Sequence, residues 1–108
     1  MASSLLILSA AERDISEAFA WYESRQSGLG FEFLRAVDAR IRSIERAPEM
    51  CGFIERPYRS AIVRRFPYMV LYTFHTDTVT ICAVFHTSQD PQKWRDRLPQ
   101  NPVEQEDL

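Results

Sequence analysis

The chain has 108 residues, 45% hydrophobic and 26% charged, with a formal net charge of -2 and a pI near 5.7. That length bounds a single small domain, expected over 1–98, which buries roughly 65% of its unfolded surface. No apolar run approaches the ~18 residues that cross a bilayer, and Leu5 to Leu8 is too short for a signal-peptide core, so a soluble cytoplasmic protein is expected.

Leu5 to Leu8 is long enough for one strand buried on both faces. Ser9-Ala10-Ala11-Glu12 follows with capping-box spacing, so the strand turns directly into a helix. This helix is expected to run to about Ser24, with Ile15, Ala18, Phe19 and Tyr22 on one face and Trp21 beside them. Gly28 and Gly30 break it. A second helix follows from Phe31 to Arg46, with Phe31, Leu34, Val37, Ile41 and Ile44 as its stripe. The short connection makes the two a helical hairpin.

Glu49 to Pro57 reads as a loop, and Tyr58 to Arg65 as a modest strand that Phe66-Pro67 turns into the next. Two β-rich runs then follow, Tyr68 to His75 and Thr78 to His86, with Thr76-Asp77 between them. A two-residue loop pairs His75 with Thr78, Phe74 with Val79, Tyr72 with Ile81, Val70 with Ala83 and Tyr68 with Phe85. One face of that hairpin is wholly apolar or aromatic. The reverse carries Met69, Leu71, Thr73 and His75 against Val84, Cys82, Thr80 and Thr78, apolar only at the far end. That end is either a docking surface or further core under the C-terminal segment. Gln92 to Leu98 holds one helical turn carrying Trp94, and 99–108 is expected to be a disordered acidic tail.

The charge is segregated. Residues 33 to 65 carry eight arginines against four acids, whereas residues 1 to 32 carry five acids and two bases. Those arginines serve either phosphate or carboxylate recognition, or solvated helix faces and internal pairs. Cys51 and Cys82, without CxxC spacing, indicate neither a disulfide framework nor a zinc site, and no metal or cofactor is expected.

Two amphipathic helices and one apolar sheet face satisfy each other's burial. The expected fold class is therefore α+β, a two-layer sandwich in the order strand-helix-helix-strand-strand-strand, with the helical hairpin packed on a mainly antiparallel sheet.

The order of elements, the Arg64-Arg65-Phe66-Pro67-Tyr68 turn, Tyr72, and Val84-Phe85-His86 with Asp90-Pro91 and Trp94 behind it resemble the RelE/ParE superfamily of bacterial toxins, the ParE-like branch most. The resemblance implies the toxin of a type II toxin-antitoxin system, neutralised by a cognate antitoxin. It also implies one of two activities, ribosome-dependent mRNA cleavage in RelE-like members or inhibition of DNA gyrase in ParE-like ones.

Metal-free RNA cleavage needs an acid, a base and cations for the developing charge. His75 and His86 lie at opposite ends of the hairpin, roughly 26 Å apart at ~3.3 Å per residue, too far to act together. Met69 stands where RelE-like nucleases place a strand arginine, and Ser88-Gln89 where another is usual. The expectation is a binder of a protein target, gyrase by resemblance, rather than an enzyme, touching nucleic acid only through the target complex. His86, Gln89 and Trp94 are the expected target contacts, and Arg64, Met69, Leu71, Cys82 and Val84 the expected antitoxin contacts. The alternative, a nuclease, uses Arg64, Arg65 and His86. His86 is either oriented by Asp90 or hydrogen-bonded to loop backbone.

Overall fold

The computed structural model describes residues 4–98, so the expected acidic tail lies outside the described residues. The elements are β1 (Ser4–Ile7), α1 (Ser9–Arg25), α2 (Leu29–Arg46), β2 (Phe53–Glu55), β3 (Tyr58–Ile62), β4 (Tyr68–His75), β5 (Thr78–His86) and α3 (Pro91–Arg97). The strands form one sheet in the order β1-β5-β4-β3-β2, antiparallel except where β1 runs parallel to β5. The helical hairpin lies on one face, and the α+β arrangement is as expected.

Thr76 and Asp77 make the tight turn between β4 and β5, both with left-handed backbone at φ 51° and 58°. That conformation lets a two-residue loop follow the strand twist. Pairing runs as expected from His75 with Thr78 to Tyr72 with Ile81, and then slips. Cys82 is an extra residue, so Leu71 pairs with Ala83, Val70 with Val84, Met69 with Phe85 and Tyr68 with His86. A one-residue slip moves every later side chain to the other face. Val84 therefore joins Val70, Tyr72, Val79 and Ile81 under the helices, while Ala83 and Phe85 join Met69 and Leu71 on the reverse.

The hairpin of helices is pinned at its turn. Gly28 adopts φ 90°, and the Glu23 carboxylate accepts from the backbone N–H of Gly28 and of Gly30, each at 2.9 Å. A carboxylate there also faces the positive end of α2. A Cβ on Gly30 would sit 2.8 Å from Phe19, so glycine permits the close crossing. The buried stripe of α2 is Phe33, Val37, Ile41 and Ile44. Phe31, expected inside, is 53% exposed and packs edge-on against Phe19.

Other expectations need correction. β1 is an edge strand, with Leu5 and Leu6 exposed rather than buried on both faces. Ser9 is already helical and caps nothing; the N-cap residue is Leu8, whose carbonyl accepts from Glu12 N–H at 3.1 Å. The supposed loop from Glu49 to Pro57 contains β2, and β3 ends at Ile62 instead of continuing through Arg65, whose φ is 74°.

The apolar end of the reverse face is not open. Met69, Leu71, Ala83 and Phe85 are buried beneath α3, whose Trp94 is 2% exposed, with Leu98 packed beside them. Asp90 caps α3 by accepting from Gln92 N–H at 3.0 Å, with Pro91 in the first turn. Two ion pairs tie the helix down, Arg97 to Asp14 in α1 and Arg95 to Glu55 in β2.

Candidate functional site: two grooves on either side of the helical hairpin

β1 pairs with Thr78 to Ile81, so among the described residues the outer edge of β5 beyond Ile81 has no strand beside it. Its outward N–H groups must find other acceptors. Asp14 Oδ2 takes the Val84 N–H at 3.0 Å and Gln89 Oε1 takes the His86 N–H at 3.2 Å. The space between this edge, α1 and α3 is a groove of about 780 Å³, with Trp21, Tyr22, Tyr68, His86, Lys93 and Arg97 among its walls.

Arg97 and Asp14 meet in a bidentate pair at 2.7 and 3.0 Å, and the guanidinium lies 4.7 Å from the centre of the Phe85 ring. The largest cation in the groove is thereby neutralised and oriented. Aromatic rings continue the wall. Tyr68 stands edge-on to His86 at 5.1 Å and to Tyr22 at 6.1 Å, and Tyr22 edge-on to Trp21 at 5.1 Å. Burial pushes the Tyr22 phenol up; burial foremost, and then the neighbouring Tyr22, does the same to Tyr68. Both phenols stay neutral and able to donate at neutral pH.

His86 Nδ1 accepts from the Ser88 backbone N–H at 3.0 Å, with Ser88 Oγ at 2.7 Å. A backbone N–H donates only to an unprotonated nitrogen, so the ring carries its proton on Nε2. Asp90 is committed to capping α3 and does not orient the imidazole. His75 sits at the opposite end of the hairpin, paired with Thr78, whereas His86 pairs with Tyr68.

On the other side of the hairpin, α2 and the end of β3 enclose a second groove of about 770 Å³. Arg35, Arg40, Arg64 and Arg65 line it, with Glu32 as its acid. Glu32 accepts from Arg65 at 3.1 Å, and the left-handed backbone at Arg65 turns that side chain toward α2.

The expected site residues are thus divided. His86 and Gln89 line the first groove and Arg64 and Arg65 the second, with no residue shared between the two walls. Met69, Leu71, Cys82 and Val84, expected as an antitoxin surface, are at most 9% exposed, and Trp94, expected as a target contact, is buried over Met69 and Leu71. Missed were Asp14, Tyr22, Tyr68 and Arg97 of the first groove and Arg35 and Arg40 of the second. For the arginines the segregated charge of residues 33 to 65 was a usable signal. For Asp14 and Arg97, 83 positions apart, none existed.

Among the described residues no cluster of three His, Cys, Asp or Glu could hold a metal ion, and no helix is long and apolar enough to cross a membrane.

The geometry can be set beside known proteins. Residues 5–91 match the family model of the ParE toxin of the type II toxin-antitoxin system, parDE. Toxin ParE2 from Mycobacterium tuberculosis is 28% identical over 92 residues, covering 84% of this chain and 88% of that one. The chromosomal ParDE system of P. aeruginosa superposes with a TM-score of 0.60 at 14% identity, over 80% of this chain and 97% of that chain. The RelBE2 toxin-antitoxin complex of Mycobacterium tuberculosis gives 0.56 at 20%, over 80% and 99%. A mutant of E. coli toxin RelE in the free state gives 0.57 at 15%, over 90% and 95%. At such identities the structures speak for the fold alone, and the family match speaks for kinship: this chain belongs to the ParE toxin family of type II toxin-antitoxin systems.

Proposed function

We propose that this toxin acts by binding a protein target, DNA gyrase, through the groove beside the β5 edge, and that a cognate antitoxin neutralises it. The observation that carries this reading is the state of His86. Its Nδ1 is taken by Ser88, so the ring offers the groove an Nε2–H donor and no free lone pair. A general base needs that lone pair. Neutral phenols, the half-exposed Trp21 and a donor imidazole instead make a recognition surface, rich in the residue types that anchor protein interfaces. His86 and Gln89 keep their expected role as target contacts, with Tyr22, Tyr68 and Trp21 added.

The competing reading, a ribosome-dependent mRNA endoribonuclease drawing on Arg64, Arg65 and His86, needs His86 and one of the two arginines at one phosphate. Arg64 and Arg65 belong to the wall of the other groove. Purified toxin tested in parallel on gyrase supercoiling and on ribosome-bound mRNA decides between them. The expected result is inhibited supercoiling with intact mRNA; cleaved mRNA with supercoiling untouched overturns the proposal.

A further inference from the structure

Positive charge gathers along one flank of the molecule without carboxylates to answer it. Glu32 accepts from Arg65, Asp38 from Arg42 and Glu55 from Arg95. Arg35 and Arg64, both exposed on the walls of the second groove, have no acidic partner among the described residues. Arg40, on the same wall, reaches Ser43 Oγ at 3.2 Å and Cys51 Sγ at 3.7 Å, and its Nε–H has no acceptor among them. Arg59 takes up the line at Cys51, donating to that residue's carbonyl at 2.6 Å and to the Glu49 carbonyl at 3.2 Å. Arg56 and Arg59 both lie over the Phe53 ring, at 4.2 and 4.0 Å. Neutral acceptors and a ring leave each of these guanidiniums its full charge.

The spacing suits a polymer of fixed negative charges. Arg35 and Arg40 stand five residues apart on α2, about 7.5 Å at a rise of ~1.5 Å per residue. One strand of a nucleic-acid duplex carries a phosphate every ~3.4 Å of its axis, so two steps cover that distance. Ala36 and Ala39 line the groove between them, and their small side chains let a bulky backbone approach α2.

Resting on the proposed function, in which the toxin seats on a DNA-handling target through the groove beside β5, we infer that the second groove lies on the phosphate backbone of the duplex that the target carries, with Arg35, Arg40 and Arg64 as the phosphate contacts. The two grooves flank the helical hairpin and share no wall residue, so both can be occupied at once. The guanidinium fork matches phosphate oxygens in pairs. An acidic polypeptide would meet the same charges but must order its own side chains to do so, whereas a duplex presents its charges already fixed.

A short fluorescein-labelled DNA duplex of mixed sequence, titrated with purified toxin from about 25 to 200 mM salt, tests the contacts by anisotropy. The logarithm of the binding constant is expected to fall against that of salt with a slope of about −2.7, about 0.9 for each of three phosphates. The Arg35→Gln, Arg64→Gln variant, checked for unchanged melting, should lose about 1.8 of that slope. Arg42→Gln, at a residue that pairs with Asp38 and does not line the groove, should keep it. An absent duplex signal, an equal loss of slope in both variants, or tighter binding of a labelled polyglutamate peptide overturns the inference. In a supercoiling assay the double variant should need a concentration at least about threefold higher than the wild type for the same inhibition, and equal inhibition overturns the contact to the target's DNA. Wild-type toxin that leaves supercoiling untouched strikes the proposed function alone, and the salt slopes then decide the groove.

Discussion

The two faces of the central hairpin carry similar apolar residues under unequal covers. Toward the helices, Val70, Tyr72, Val79, Ile81 and Val84 meet Phe33, Val37, Ile41 and Ile44 of α2 and Ala11 and Ala18 of α1. On the reverse, Met69, Leu71, Ala83 and Phe85 lie under a seven-residue helix that contributes Trp94, with Leu98 just after its end. The first cover is two long helices joined by a pinned turn. The second depends on one large side chain and two ion pairs. What this teaches is that burial alone does not rank the faces; the length of the element that supplies the burial does, because a short helix has little propensity of its own and holds only while it is docked.

Breaking either cover tests that difference. Phe33→Ala empties a fully buried site on the helix side and is expected to cost about 3–5 kcal/mol, lowering the urea midpoint for the whole domain. Trp94→Ala removes a side chain of similar payload, about 3 kcal/mol, yet its first effect is local: amide exchange in α3 accelerates while β4 stays protected. Global loss of protection in Trp94→Ala would show the two covers to be equivalent.

Asp14→Asn weakens the tie between α1 and α3, leaving Arg97 without its carboxylate, and is expected to cost about 1–2 kcal/mol by urea unfolding. The smallest change, about 1 kcal/mol, follows Tyr72→Phe, which deprives the Pro48 carbonyl of its hydroxyl donor at 2.8 Å.

A pH titration sharpens the same contrast. Tyr58 is pushed from 10.0 up to about 12, by burial first and by Cys82 second, and burial chiefly raises Tyr72 as well. Below pH 10 both folded and unfolded chains hold these phenolic protons; between pH 10 and 12 the unfolded chain releases them while the folded one does not. Stability is therefore expected to fall as pH rises through that window, and less steeply in Tyr72→Phe.

Much of the fold was legible because period and length agree: two helical stripes, two β-rich runs and a short polar break between them. The slip at Cys82 was not, since an extra residue inside a run of strand formers looks like any other. From that one residue follow the wrong partners for Val70 and Tyr68 and the wrong face for Val84, Ala83 and Phe85. Phe31 was chosen over Phe33 because Gly30 hid where α2 enters the turn. β2 was hidden by the prolines around a three-residue edge strand. In the first groove His86 was singled out because it ends a strand at a loop and Gln89 through the family resemblance, whereas Asp14 and Arg97 meet only through tertiary folding. Arg64 was singled out from the Arg64-Arg65 pair ahead of Phe66-Pro67, and its neighbours Arg35 and Arg40 could have been singled out from the arginine count of residues 33 to 65.

The central claim, recognition of gyrase through the groove beside β5, is tested most directly by titrating the toxin into a supercoiling assay as the wild type and as Trp21→Ala, His86→Gln. Both positions lie at the groove surface and outside the buried core, so melting should be unchanged. The account predicts inhibition by the wild type and an inhibitory concentration about tenfold or more higher for the variant, as truncating interface anchors does; equal inhibition by the two proteins would contradict it.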